Sequence, residues 1–271
     1  MLDLEKKADV VQTEELKVSN CPICGGYVCH VYFMQDAKTK KKSKWFACSC
    51  GVVFNAQKPS KVYDEKYWLE RSKYDKKLEA AYQYPVHIYA PIIEELIYGR
   101  RVLIIGRPNT YQEEAFLERG WVPTIIDKNT CFKTVDNVIA ADFETYQFPK
   151  YKFIDNDGKE TLRQTKYSLI WIYHTIDNFL DPVAALAKCQ ELLAEDGIIV
   201  LMGADTDFIN TRSSSCFIHW KHDENGIMWN RRSLAKQLDQ LGFNVILARQ
   251  NYEHRFPIWD DYHIIAQKRF F

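Results

Sequence analysis

Residues Tyr167 to Asp205 read YSLIWIYHTIDNFLDPVAALAKCQELLAEDGIIVLMGAD. The passage opens with a mostly continuous apolar run rich in aromatic and branched side chains, as expected of a strand buried on both faces. A short polar stretch separates it from a leucine-rich helix with Pro182 in its first turn and Gly197 beyond its end. A second apolar strand, IIVLMG, follows at Ile198. Strand, helix and strand in this order predict parallel neighbours in a sheet covered by helices.

The alternation continues in both directions. Upstream, RVLIIG (from Arg101) predicts a strand, TYQEEAFLERG a helix ending at Gly120, VPTIID a strand ending at Asp127, and DNVIAAD another. Downstream, NRRSLAKQLDQLG predicts a helix, and FNVILARQN and YHIIAQKR the last two strands. The connection between those two, YEHRFPIWDD, is too short for a helical crossover, so they are expected to be antiparallel. The fold class is α/β: a Rossmann-like, mostly parallel sheet with an antiparallel last strand.

The passage around Tyr167 to Asp205, with its aspartate-proline helix start and glycine-ended turn, is similar to class I S-adenosylmethionine-dependent methyltransferases. The resemblance covers about Arg101 to Lys268 and implies that cofactor. It places Gly106 at the start of the family's glycine-rich loop, and Asp142 and Phe143 where the adenine amino group is met. Tyr173 and His174 would border the methionine part or the transferred methyl. Ligands of open α/β sheets bind beyond the carboxyl ends of the strands, where Asp127, 21 residues after Gly106, suits ribose hydroxyls. Taken singly, Asp127 and Asp142 also read as turn or cap residues. The loop departs from the family: Ile104 stands where an acid is usual, and Arg107, Pro108, Asn109 and Thr110 follow Gly106. That departure supports an alternative, a non-catalytic binding or assembly protein on the same fold. A dehydrogenase-type nucleotide binder would require GxGxxG after this strand, which is absent.

Ahead of this region lie CPICGG and CSCG. Cys21 and Cys24, then Cys48 and Cys50, form two glycine-flanked knuckles matching a tetrahedral structural zinc, as in a zinc ribbon. Cys29 and His30 are alternative ligands. The segment between the knuckles alternates apolar and polar residues around a lysine-rich turn, Lys38 to Lys44, as a hairpin does. That run reads as a solvated tip or as a nucleic-acid contact. The expected domains are a zinc ribbon (1–60), a helical connector (61–100) and the Rossmann-like domain (101–271). In the connector, one helix is expected from near Glu65, capped by Asp64, and a second from about Pro85 to Tyr98. Tyr67, Trp68, Tyr74, Leu78 and Tyr82 recur at roughly helical spacing, either packing or closing over a ligand.

For proton transfer, the long polar stretch after the fifth core strand offers His219 and His222, with Trp220 nearby and Asp205 and Asp207 ahead. His174 is another candidate base, with Asp177 as an orienting partner. Opposite charges balance, 36 against 36, so no global field draws the chain to nucleic acid or anionic membrane. The charged start and the lack of a long apolar run predict a cytoplasmic protein. The acceptor is expected to be a small molecule, a nucleotide sugar or RNA.

Overall fold

The computed structural model describes residues 20–35, 42–55, 79–106, 110–128, 137–154, 156–211, 224–250 and 261–269. The expected helix near Glu65 lies outside these, with Tyr67, Trp68, Tyr74 and Leu78, as do Cys131 and Cys216.

The N-terminal region forms strands β1 (Val28–Gln35), β2 (Lys42–Cys48) and β3 (Val53–Asn55). β1 and β2 pair antiparallel, as the hairpin reading expects. Helix α1 (Glu79–Glu94) follows, starting earlier than expected, with Pro85 and Pro91 inside it. Its apolar face, including Tyr82, Val86, Tyr89 and Ile93, is buried, so tertiary packing overrides the local cost of two prolines.

The alternating region then supplies β4 (Arg101–Ile105), α2 (Tyr111–Glu118), β5 (Val122–Asp127), β6 (Val138–Ala140), β7 (Lys150–Ile154), β8 (Glu160–Gln164) and β9 (Tyr167–Tyr173). After it come α3 (Pro182–Leu192), β10 (Leu193–Ala204), α4 (Asp207–Thr211), β11 (Ile227–Met228), α5 (Arg231–Gln240), β12 (Phe243–Gln250) and β13 (Asp261–Lys268). The large sheet has the order β12-β13-β10-β9-β4-β5-β6. β13 is antiparallel to both neighbours, as expected, and β10, β9, β4, β5 and β6 are parallel.

Alternate residues of the central strands enter two separate cores. Val102, Ile104, Leu169, Trp171, Val200 and Met202 pack under α1 and α2. On the opposite face, Leu103, Ile105, Ile170, Ile172 and Leu201 join α3, α5 and the N-terminal residues Phe46, Val52 and Phe54. Every residue of β9 is buried, Ser168 included, which explains its nearly continuous apolar character.

The helix expected to reach Gly197 ends at Leu192 instead. Leu193 turns extended and pairs with Tyr167, so its side chain fills the core, and the ladder resumes at Ile198 after an irregularity. The hairpin β7–β8 was not expected.

β11 does not join the large sheet. Met228 and Ile227 pair with Val53 and Phe54, making the small sheet four-stranded in the order β1-β2-β3-β11. The N-terminal unit is thereby continuous with the α/β region through backbone hydrogen bonds. Thr206 Oγ1 adds a bond to the Gly51 carbonyl at 2.9 Å.

Candidate active site

The two cysteine knuckles close on one point. Cys21, Cys24, Cys48 and Cys50 place all four sulfurs within 4.8 Å of one another. The Cys21–Cys50 and Cys24–Cys48 sulfurs are 3.8 and 3.5 Å apart. Tetrahedral zinc with bonds of about 2.3 Å requires sulfur–sulfur edges of about 3.8 Å, so the set fits the ion. Gly26 donates its amide to Cys24 Sγ, the kind of bond that stabilises a thiolate. Cys29 instead donates to the Ala47 carbonyl, and His30 packs edge-on against Tyr32.

Gly51 closes the second knuckle with φ +95°, and a Cβ there would lie 2.3 Å from Asn230 Nδ2. Asn230 is the N-cap of α5, in a reciprocal capping box with Ser233, and also donates to Asp207. Through Thr206 and Asn230, the second cysteine knuckle therefore sits against the turn that follows the fifth parallel strand and the start of α5. A cleft of about 490 Å³ opens between them, lined by His30, Tyr32, Cys48, Thr206, Asp207 and Asn230 among others.

Gly106 ends β4 at φ +80°, and its amide donates to the Ile126 carbonyl at 2.9 Å. A Cβ at this position would lie 2.2 Å from Thr175 Oγ1, so the glycine lets the ends of β4 and β9 close on each other. Arg107, Pro108 and Asn109 lie outside the described residues. Tyr82 stacks on Tyr111 and meets Tyr173 edge-on, with ring centroids 6.3 and 5.9 Å apart. Gln112, buried in the first turn of α2, accepts a bond from Trp171, while its Nε2 has no partner among the described residues.

Asp127 ends β5 half-buried. Asp142, beyond β6, accepts the Glu144 amide at 2.9 Å, the turn role that it shares with many aspartates. Phe143 is buried against Phe148 and Phe179, and Lys188 donates to its carbonyl. Tyr173 is likewise buried, 4.6 Å from the His174 ring.

His174 has φ 49°, the one non-glycine among the described residues with positive φ. Such a conformation costs on the order of 1–3 kcal/mol and persists where the surroundings impose it. Here the His174 amide extends the ladder to the Met202 carbonyl at 2.8 Å. Its Nε2 is 2.8 Å from Asp261 Oδ2, so Asp261, rather than the expected Asp177, holds the ring. Donating Nε2–H leaves the basic lone pair on Nδ1. Asp261 opens the antiparallel β13 opposite Ala204, which brings it to the edge where the parallel strands end. His219 and His222 lie outside the described residues.

Asp177, in the 3-10 turn Ile176–Asn178, is 4% exposed, and burial pushes its carboxyl up to about 7. Asp205 is fully buried and raised by burial to about 6, although its carboxylate accepts the Asp207 amide and faces Arg231 at 3.5 Å. An acid whose folded pKa exceeds its unfolded value stabilises the fold below the unfolded pKa and loses that contribution as pH rises. For Asp177 the loss runs from about pH 4 to about 7, with a ceiling on the order of 4 kcal/mol. His263, held by burial at about 3, acts with the opposite sign between about pH 3 and 6.5. Comparing Asp177→Asn with the parent isolates Asp177. The variant's advantage in melting temperature should be small at pH 4, grow to several degrees at pH 7, and then level off. An offset independent of pH in a thermal-melt series would refute this assignment.

A sheet of this order, with a glycine turn after its first strand in chain order and carboxylates at the ends of the next two, defines a class I S-adenosylmethionine-dependent methyltransferase. A family model described as a methyltransferase domain matches residues 74–248. The chain belongs to that family and is an enzyme. Among solved structures, the plantazolicin methyltransferase BpumL in complex with SAH is 12% identical with a TM-score of 0.55, the match covering 76% of this chain and 91% of that one. A SAM-dependent methyltransferase from Archaeoglobus fulgidus is 18% identical with a TM-score of 0.52, covering 72% and 98%. A chain from the complex between the Haloferax volcanii Trm112 methyltransferase activator and a methyltransferase is 12% identical, TM-score 0.52, covering 78% and 100%. No curated protein sequence matches the chain. No helix among the described residues is long and apolar enough to cross a membrane.

Proposed function

We propose that this methyltransferase acts on a small molecule whose body occupies the cleft between the zinc ribbon and the carboxyl ends of the central strands. The cleft itself carries this reading. At about 490 Å³ it is in the range of small-ligand sites, and it pairs aromatic His30 and Tyr32 with polar Thr206, Asp207 and Asn230. The balanced net charge agrees, since a large polyanionic acceptor would favour a basic face.

S-adenosylmethionine supplies an electrophilic methyl group on a sulfonium. Gly106, Asp127, Asp142, Phe143 and Tyr173 are assigned to holding it, Asp127 through the ribose hydroxyls and Asp142 near the adenine. The unpartnered Gln112 Nε2 and the close turn at Gly106 suit a ligand with polar acceptors beside α2. His174 takes a proton from the acceptor on Nδ1, and Asp261 fixes the ring and stabilises the imidazolium. The four cysteines bind zinc in a structural role, since a closed tetrahedral set leaves no open position.

Calorimetric titration of the zinc-loaded protein with S-adenosylhomocysteine tests the cofactor assignment. Micromolar binding is expected, and Asp127→Ala should weaken it at least tenfold with the fold intact. Absence of heat at millimolar ligand, with normal melting, would overturn the pocket.

A further inference from the structure

Beside the His174–Asp261 pair lies a group of buried acids that the proton-accepting role leaves unexplained. Among the described residues, Asp177 Oδ1 has no hydrogen-bond partner, and neither has the hydroxyl of the fully buried Tyr262. Tyr262 stands opposite Gly203 in the β10–β13 ladder, so close that a Cβ on Gly203 would lie 2.7 Å from its hydroxyl. The Asp177 carboxyl senses the charges of both His174 and Asp261, and the Tyr262 hydroxyl those of Asp177, Asp205 and Asp261. In this neighbourhood Arg231 is the cation placed against Asp205, at 3.5 Å, and it is 3.9 Å from Asp207. Among the described residues, His174 is the positive group that the Asp177 carboxyl senses.

Buried polar atoms without partners are costly, and in native structures they mark a missing ligand or water. The acids do not converge as a metal site would: among the described residues, only the four cysteines bring three or more ligand atoms together. Oxygens that are buried, net negative and spread out suit an organic cation whose N–H groups diverge.

We propose that Asp177 and Tyr262 bind a protonated amine on the methyl acceptor, making this chain an N-methyltransferase. The inference rests on the methyltransferase reading and on His174 as proton acceptor. The bound ammonium gives one proton to His174 Nδ1. The freed nitrogen lone pair forms the N–C bond to the methyl carbon, and the C–S electron pair leaves with sulfur. The product is a methylated ammonium, and no oxidant or reductant is required. Asp205–Thr206–Asp207 is continuous with both places, Asp205 buried among the acids and Thr206 and Asp207 lining the cleft.

The test uses three probes of one shape, 2-phenylethylammonium, 2-phenylethanol and phenylacetate, added to zinc-loaded protein with S-adenosylhomocysteine and followed by ligand-observed NMR. The ammonium is expected to bind at least tenfold more tightly than the alcohol, and the carboxylate least. Asp177→Asn should remove that preference, and Tyr262→Phe should reduce it at least threefold, with both variants retaining S-adenosylhomocysteine affinity. Equal affinity for ammonium and alcohol, or a preference unchanged in both variants, would overturn the proposal and leave the oxygens to structural water. Failure of S-adenosylhomocysteine to bind would instead strike the underlying methyltransferase reading, and the two failures are thus distinguishable.

Discussion

Removing zinc is expected to unfold the ribbon and abolish methyl transfer together. Structural zinc contributes about 10–16 kcal/mol in isolated finger peptides, and so short a segment can build little core of its own. Phe46, Val52 and Phe54 belong to a core shared with α3, α5 and the large sheet, and Trp45, Ala47 and Val53 to a smaller one shared with Ala204, Ile209 and Met228. Losing the knuckles frees β3 and with it β11, whose neighbour Gly226 donates to the Asp177 carbonyl at 2.8 Å. Gly51 would also release Asn230 and Thr206. Metal analysis should find one zinc per chain. Cys48→Ser, or exhaustive chelation, should lower the melting temperature by at least 10 °C and reduce turnover at least a hundredfold. A chelated protein with unchanged amide-exchange protection in β2, β3 and β11 would remove the metal from its structural role.

The second large effect concerns the proton acceptor. His174→Ala is expected to lower kcat by about 10²–10⁴ while leaving S-adenosylhomocysteine affinity within twofold. Asp261 acts through the ring, so Asp261→Asn should lower kcat with little change in KM. Because the pair works as one unit, the double variant should be little worse than His174→Ala alone. Additive losses, or a fall in cofactor affinity matching the fall in kcat, would mean that the two residues shape the fold rather than the reaction. A protein that retains full activity without the imidazole would show that proton removal is left to solvent.

Most of the central sheet was legible because its strands carry continuous apolar runs, and those runs exist only where both faces are covered. The antiparallel end was readable from the short connection before Tyr262. The hairpin β7–β8 was harder, since most of its residues are exposed and no apolar face marks it. Its one clear signal was Asp157-Gly158, with Gly158 at φ +76°. The site was only partly legible for a topological reason. Residues at the carboxyl ends of parallel strands, such as Asp127 and His174, can be found by following each strand forward. Asp261 lies at the start of its strand, and an antiparallel strand reaches the functional edge with its first residue. Gln112 and Tyr262 gave no pattern, because an orphaned polar atom appears only after packing is known. Phe143 was legible by the same route, since it follows an acid beyond the third parallel strand, but its packing against Phe148 and Phe179 appears only in the structure.

The pairing of β3 with β11 also sets an order of assembly during synthesis. The cysteine knuckles and β1–β3 leave the ribosome early, but Phe54 must wait for Ile227 before its edge is covered. Throughout that interval a short strand carries unpaired backbone groups beside Val53 and Phe54, the kind of edge that recruits other chains. Early metal loading would hold the hairpin and its knuckles in register while the rest is made. Cells short of zinc should therefore accumulate this protein as aggregate rather than as soluble inactive enzyme, with damage done at birth and not reversed by later metal.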